Sequence, residues 1–162
     1  MKRIARFEKV SPCLFEEAGG NPEQYEALKK PARATVGSAG YDFFAPFDIE
    51  VSPGEAVTVP TGFRVYIENG WVLSLYPRSG LGFKFKMQLQ NTVGIIDSDY
   101  YYSANEGHIM IKIFNDSREG KTIRIPAGCA FAQGIFTEFG ITEDDCVTSL
   151  RDGGFGSTDS RK

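Results

Sequence analysis

The sequence predicts an all-β domain of the jelly-roll or β-sandwich type, with one short helix near its amino terminus. Three observations point there. The 162 residues, 41% of them hydrophobic, suit one ordinary domain with a core that needs no disulfide staples. The 18 glycines and 8 prolines are spread along the chain, as short strands joined by tight turns require. From Thr35 onward the apolar residues recur with a period of two.

Residues 4–10 read as a first strand. After them, "NPEQYEALKK" has the marks of a short helix: Asn21 can cap it, Pro22 suits its first position, Glu23 lies near the positive end of the dipole, and Lys29 and Lys30 lie near the negative end. The stretch "DIEVSPGEAVTVPTGFRVYIENGWVLSLYP" alternates in short runs broken by Pro53-Gly54, Pro60, Gly62 and Asn69-Gly70, the last a strong hairpin-turn signal. "HIMIKIFN" puts Ile109, Ile111 and Ile113 on one face; "KTIRIP" does the same with Ile123 and Ile125, and "CAFAQGIF" is a further apolar strand. No repeat or linker divides the chain. Residues 1–150 are expected as a single β domain, and residues 151–162, "RDGGFGSTDSRK", as a flexible glycine-rich carboxy-terminal segment with Phe155 its single large apolar group.

Composition excludes several classes. A formal net charge of −3 offers no broad basic surface, so long nucleic acid is not an expected partner, although a small anion met by local charges fits. The cysteines, Cys13, Cys129 and Cys146, are odd in number and have no C-x-x-C spacing, which speaks against a disulfide framework and a structural zinc, and for a reducing cytoplasm. The opening "MKRIARFEKVSPC" lacks the continuous apolar stretch of a signal peptide, and no run approaches the roughly 20 apolar residues of a membrane span.

Four stretches carry chemistry. His108 is the sole histidine and is expected on a strand edge; no nucleophile elbow and no G-x-x-x-x-G-K-[ST] loop is present. In "YPRSGLGFK", Arg78 can hold an oxyanion with its planar fork, Ser79 adds a hydroxyl, and the N–H of Gly80 can be approached closely; the same residues also suit a plain turn. In "AGYDFFAP", Asp42 is either a turn residue bonded to its own backbone or a site carboxylate. In "GIIDSDY", Asp97 follows an apolar run, where a carboxylate is costly unless paired, hydrogen-bonded or useful. "GGFGSTD" can close as a lid, with Phe155 as a stacking surface and Ser157, Thr158 and Arg151 for anionic oxygens.

Taken in order, "AGYDFFA", "PRSGLG", "NTVGIIDSDY", "CAFAQGIF" and "RDGGFGST" closely resemble the homotrimeric dUTPase family over residues 38–158. The resemblance implies the dUTPase-like β-clip fold and cleavage of dUTP to dUMP and pyrophosphate. It makes Asp97 the general base that deprotonates a water for attack on the α-phosphorus. Asp42 would hold Mg²⁺ through coordinated water. Arg78, Ser79, Gly80 and Gln133 would contact the phosphates. Asn91, Gly94, Ile95, Ile96 and Met110 would form a hairpin pocket for uracil, with Tyr100 beneath the deoxyribose. Phe155 would close over the base, with Arg151, Gly156, Ser157 and Thr158 on the phosphates, and each site would be assembled from three chains. The chain departs from the family pattern in interposing "YYSANE", residues 101–106, before Gly107, in carrying Ala130 where an arginine is common and Asp159 where a glycine is, and in a gap from Arg151 to Phe155 one residue shorter than usual. Two other readings stand beside it. A deaminase acting on dCTP shares the fold but would need an acid where Lys112 stands, and a non-catalytic module of the same fold would use the enlarged loop as a contact surface.

Overall fold

The alternating runs fold as short strands whose apolar sides turn toward one another. A computed structural model describes residues 1–149 and Arg151. Its strands are β1 (Ala5–Lys9), β2 (Ala32–Arg33), β3 (Tyr41–Phe44), β4 (Ile49–Val51), β5 (Ala56–Pro60), β6 (Phe63–Ile67), β7 (Trp71–Pro77), β8 (Met87–Leu89), β9 (Gly94–Ile96), β10 (Met110–Asn115), β11 (Ile123–Ile125) and β12 (Ala130–Glu138). They pair antiparallel in four sheets, in the orders β2-β3-β12-β7-β9, β5-β10-β8, β1-β6 and β11-β4. The arrangement is the mostly-β jelly roll expected. Phe43, Leu73, Leu75, Phe131, Ile111, Ile113 and Ile123 meet in one core, each no more than 2% exposed. Burying each such side chain contributes roughly 1.5–3 kcal/mol. Among the described residues no helix is long and apolar enough to cross a membrane.

The helices differ from the expectation of one. The expected helix forms as α2 (Pro22–Ala27), closed by a capping box in which the Asn21 side chain accepts the Gln24 N–H at 2.9 Å and the Gln24 side chain accepts the Asn21 N–H at 3.1 Å. An additional helix, α1 (Pro12–Glu17), precedes it and buries Phe15 completely. Its Ser11-Pro12 start is a legible signal, but six residues are too short to show an apolar stripe. A third, α3 (Ser79–Phe85), follows Arg78 where the sequence suggested only a turn, its Gly80 and Gly82 being poor helix formers.

The Asn69-Gly70 signal also acts differently. A turn forms, with Gly70 at φ 82° and the Trp71 N–H donating to the Glu68 carbonyl at 3.3 Å, yet β6 and β7 do not pair. The chain passes from the β1-β6 sheet to the large sheet, because β7 gives its ladder to β12 and β9.

His108 is a further correction, since it lies in the interior and not on a strand edge. It is 3% exposed, its Nε2 accepts the Gly62 N–H at 3.0 Å, and its ring stands 6.4 Å from that of Phe15. A ring so placed is held by packing against a residue far away in sequence, which periodicity does not report. Burial lowers its pKa from 6.5 to about 4, with Glu106 opposing weakly. Between those two values the unfolded chain binds a proton that the fold does not, so stability rises with pH there. We expect this contribution to be fully present above pH 6.5 and to be lost as the pH falls to about 4. Urea denaturation across that window should show a loss on the order of 2 kcal/mol, and His108→Gln should flatten it; equal slopes in both proteins would exonerate the imidazole.

Candidate active site

Strands β9 and β10 flank one loop but join different sheets. β9 pairs with β7, Leu75 opposite Gly94 and Leu73 opposite Ile96, whereas β10 lies between β5 and β8. The expected paired hairpin is therefore a splayed one, and the splay leaves a pocket of about 220 Å³. Asn91, Gly94, Ile96 and Met110 line it as expected from the sequence, with Lys112, weighed there only for the deaminase reading, and with Leu75, Leu89, Gln90 and Ile111, which sequence reasoning missed. Leu89 and Gln90 adjoin Asn91 in the sequence and Ile111 adjoins Met110; Leu75 could be found only from the pairing. Ile95 is not a wall residue, because alternation along β9 turns it outward, 54% exposed. Gly94 has to be small: a Cβ there would lie 3.1 Å from both Cβ and Cδ1 of Leu75. The result is a mostly apolar slot with two carboxamides, Gln90 and Asn91, and main-chain groups near its wall, which suits a flat polar ring entering edge-on.

Asp97 follows Ile96 directly. The sequence placed this carboxylate against the core, but only its neighbour is buried; Ile96 is 2% exposed, while the Asp97 side chain is 49% exposed. Arg151 covers it, with Nη2 2.6 Å from Asp97 Oδ2 and Nε 2.9 Å from Asp99 Oδ1. The same guanidinium stands 5.7 Å from the centre of the Tyr100 ring. Tyr100 sits in the 3₁₀ turn Ser98–Tyr102, is buried, and donates its O–H to the His108 carbonyl at 2.9 Å. Burial pushes its phenol pKa up, with the Asn105 hydrogen bond opposing.

A second cluster lies elsewhere. Asp42 on β3, Gln133 on β12 and Tyr76 on β7 stand opposite one another in a row, so their side chains leave the sheet on one face. Arg78 Nε is 3.3 Å from Asp42 Oδ1, and Gln133 Nε2 donates to the Pro77 carbonyl at 3.2 Å. Ser79 and Gly80 open α3, where first-turn N–H groups lie outside the helix's own ladder. A Cβ on Gly80 would meet nothing within 4 Å, so the space beside it is open. Among the described residues no three His, Cys, Asp or Glu side chains gather as a metal cage. One carboxylate at the foot of an anion-binding turn suits instead a hard cation that keeps most of its water.

The two clusters do not meet within one chain. Extending the β7–β9 register by one residue sets Asp97 beside Val72, and Arg78 lies six positions further along, about 20 Å at roughly 3.3 Å per residue. Phe155, Gly156, Ser157 and Thr158 lie outside the described residues.

Comparison with known proteins gives a consistent answer. The family model for dUTPase matches residues 26–159. A Lactococcus lactis relative named deoxyuridine 5'-triphosphate nucleotidohydrolase is 40% identical over 159 residues, covering 96% of this chain and 98% of the relative. Among solved structures, the Streptococcus mutans dUTPase is 35% identical with a TM-score of 0.67, covering 85% of this chain and 98% of that one. The dUTPase of phage phi11 of S. aureus, at 22% identity and a TM-score of 0.67 over 91% of this chain and 98% of that one, shares the fold.

The Arg151 pairs involve carboxylates that are half exposed, which bounds their worth. Arg151→Ala is expected to change the urea-denaturation stability by less than about 1 kcal/mol. A substantially larger loss would make the guanidinium a structural strut.

Proposed function

The chain belongs to the dUTPase family and is a dUTP diphosphatase; we propose that Asp97 is the general base of this hydrolysis and that the slot between β9 and β10 receives the uracil. The observation that carries the reading is that a mostly apolar, edge-on slot of about 220 Å³ has Ile96 in its wall, and the next residue is a solvent-facing carboxylate.

In this reading the Asn91 amide and the main chain of β9 and Met110 meet the polar edge of uracil. Rejection of a 5-methyl group is assigned to the close backbone at Gly94, which packs on Leu75, and Tyr100 to the floor of the deoxyribose. One Asp97 oxygen accepts a proton from water as the water oxygen bonds to the α-phosphorus. The bond from that phosphorus to the bridging oxygen of the β-phosphate breaks, and pyrophosphate leaves. General-base assistance of this kind is worth about 10²–10⁴-fold. Arg151 must first leave Asp97, and the triphosphate gives it an anionic alternative; Phe155, Gly156, Ser157 and Thr158 then close over base and phosphates.

Arg78, Ser79, Gly80 and Gln133 hold the phosphates, and Asp42 would hold Mg²⁺, by way of its coordinated water. The phi11 protein is described as coordinating a structural Mg(II) ion. Bound Mg²⁺ would neutralise triphosphate oxygens, which a chain of net charge −3 does not attract by itself. Since Asp97 and Arg78 are about 20 Å apart along the strand, the phosphate turn and the base in one site come from different subunits of a homotrimer. The exposed Phe83, Ile141 and Val147, at 92%, 74% and 76%, are in keeping with surfaces covered in such an assembly. Deamination of a cytosine ring is not supported, because Lys112 at the pocket is no acid.

Chromatographic product analysis with dUTP, dTTP, UTP and dCTP should show turnover of dUTP alone, abolished by chelating Mg²⁺. Asp97→Asn is expected to lower kcat by at least about 10²-fold with little change in KM. Comparable cleavage of dTTP would discredit the slot, and an unchanged rate in the Asn variant would remove Asp97 from the chemistry.

A further inference from the structure

The loop that interrupts the familiar pattern, residues 101–106, folds back onto the floor of the proposed sugar site. Asn105 uses both ends of its amide: Oδ1 accepts the Gly107 N–H at 3.2 Å and Nδ2 donates to the Tyr100 hydroxyl oxygen at 2.8 Å. The same hydroxyl donates its proton to the His108 carbonyl at 2.9 Å. The phenol oxygen is thus engaged as donor and as acceptor, and a ring with two soft torsions is fixed at its far end.

Asn105 is itself held. The His108 N–H donates to the Asn105 carbonyl at 3.0 Å, and Gly107, at φ 69°, brings the returning backbone so close that a Cβ there would lie 2.6 Å from the Tyr100 carbonyl oxygen. Beside it, Glu106 accepts the Ser11 N–H at 2.8 Å, and the Tyr101 hydroxyl donates to Glu8 with the Arg64 guanidinium 4.3 Å over its ring. The loop is therefore stitched to β1 and to the start of α1.

We propose that Asn105 is a positioning residue that fixes the height of the Tyr100 ring and thereby sets discrimination between deoxyribose and ribose. This rests on the reading of Tyr100 given above. A floor held from both sides of its hydroxyl cannot drop to make space for one more oxygen; a floor released from Asn105 can. The uracil end is governed by β9 and Leu75, so selection against a 5-methyl group is independent of this contact.

The test measures kcat and KM for dUTP, UTP and dTTP in the full-length protein with Mg²⁺, for wild type, Asn105→Ala, Asn105→Asp, Tyr100→Phe, Tyr100→Ala and the Asn105→Ala/Tyr100→Phe pair. Asn105→Asp keeps the acceptor for Gly107 but puts an anionic acceptor where the donor stood, in competition with the His108 carbonyl for the Tyr100 proton; it displaces the ring's present anchor and carries the test if the Ala variant does not fold. The ratio of kcat/KM for UTP to that for dUTP should rise about fivefold to tenfold, the effect of one buried hydrogen bond, through a lower KM for UTP relative to dUTP. Tyr100→Phe, which removes the His108 bond as well, should give at least that rise, the pair no more than Tyr100→Phe alone, and the dTTP ratio should stay at its wild-type value. If Tyr100→Ala relaxes sugar selection but the Asn105 variants do not, the positioning role is wrong while the floor stands. If Tyr100→Ala also leaves the ratio unmoved, the reading of Tyr100 itself fails. If UTP and dTTP ratios rise together, the loop supports the site only generally, and the proposal is overturned.

Discussion

Everything at the site follows from where β9 spends its backbone hydrogen bonds. Three residues, Gly94, Ile95 and Ile96, give their ladder to β7 and none to β10, although β10 is the strand to which the chain next returns. Had the two strands paired, their main-chain groups would be satisfied against each other, and no slot would exist. Splayed, β9 is left at the edge of its sheet, and the main-chain edge that faces away from β7 can read a flat heterocycle without many side chains. Gly94 makes the splay compatible with close packing on Leu75.

The charges are arranged in the same economical way. The two arginines of the candidate site are each matched to a carboxylate, Arg78 to Asp42 and Arg151 to Asp97 and Asp99. None of these pairs is deeply buried, so in the proposed site exchanging a carboxylate partner for a phosphate would cost little in desolvation.

Much of this was legible in the sequence, and the gaps have physical causes. Asn21-Pro22 with Gln24 announces α2 because a capping box is local, and the isoleucines of β10 announce their face because alternation is local. Pairing partners are not local: Asn69-Gly70 makes its turn, but the turn does not say that β6 and β7 part company. The orientation of Asp97 was misread because an apolar run suggests burial on both sides, whereas Ile95 and Ile96 point oppositely. The interior place of His108 involves Phe15 of α1 and the Gly62 N–H, both remote in sequence, and the wall residue Leu75 comes from a strand that only the tertiary fold brings to Asn91.

The stitching of residues 101–106 to the amino-terminal strand has an evolutionary corollary. Glu8 and the backbone at Ser11 touch no substrate in any reading of the site, yet they anchor the loop from which Asn105 reaches the tyrosine. If Asn105 positions the tyrosine as proposed, substitutions in the opening dozen residues would be felt at the sugar site. Removing these opening residues would take away two of the loop's anchors, the carboxylate of Glu8 and the N–H of Ser11.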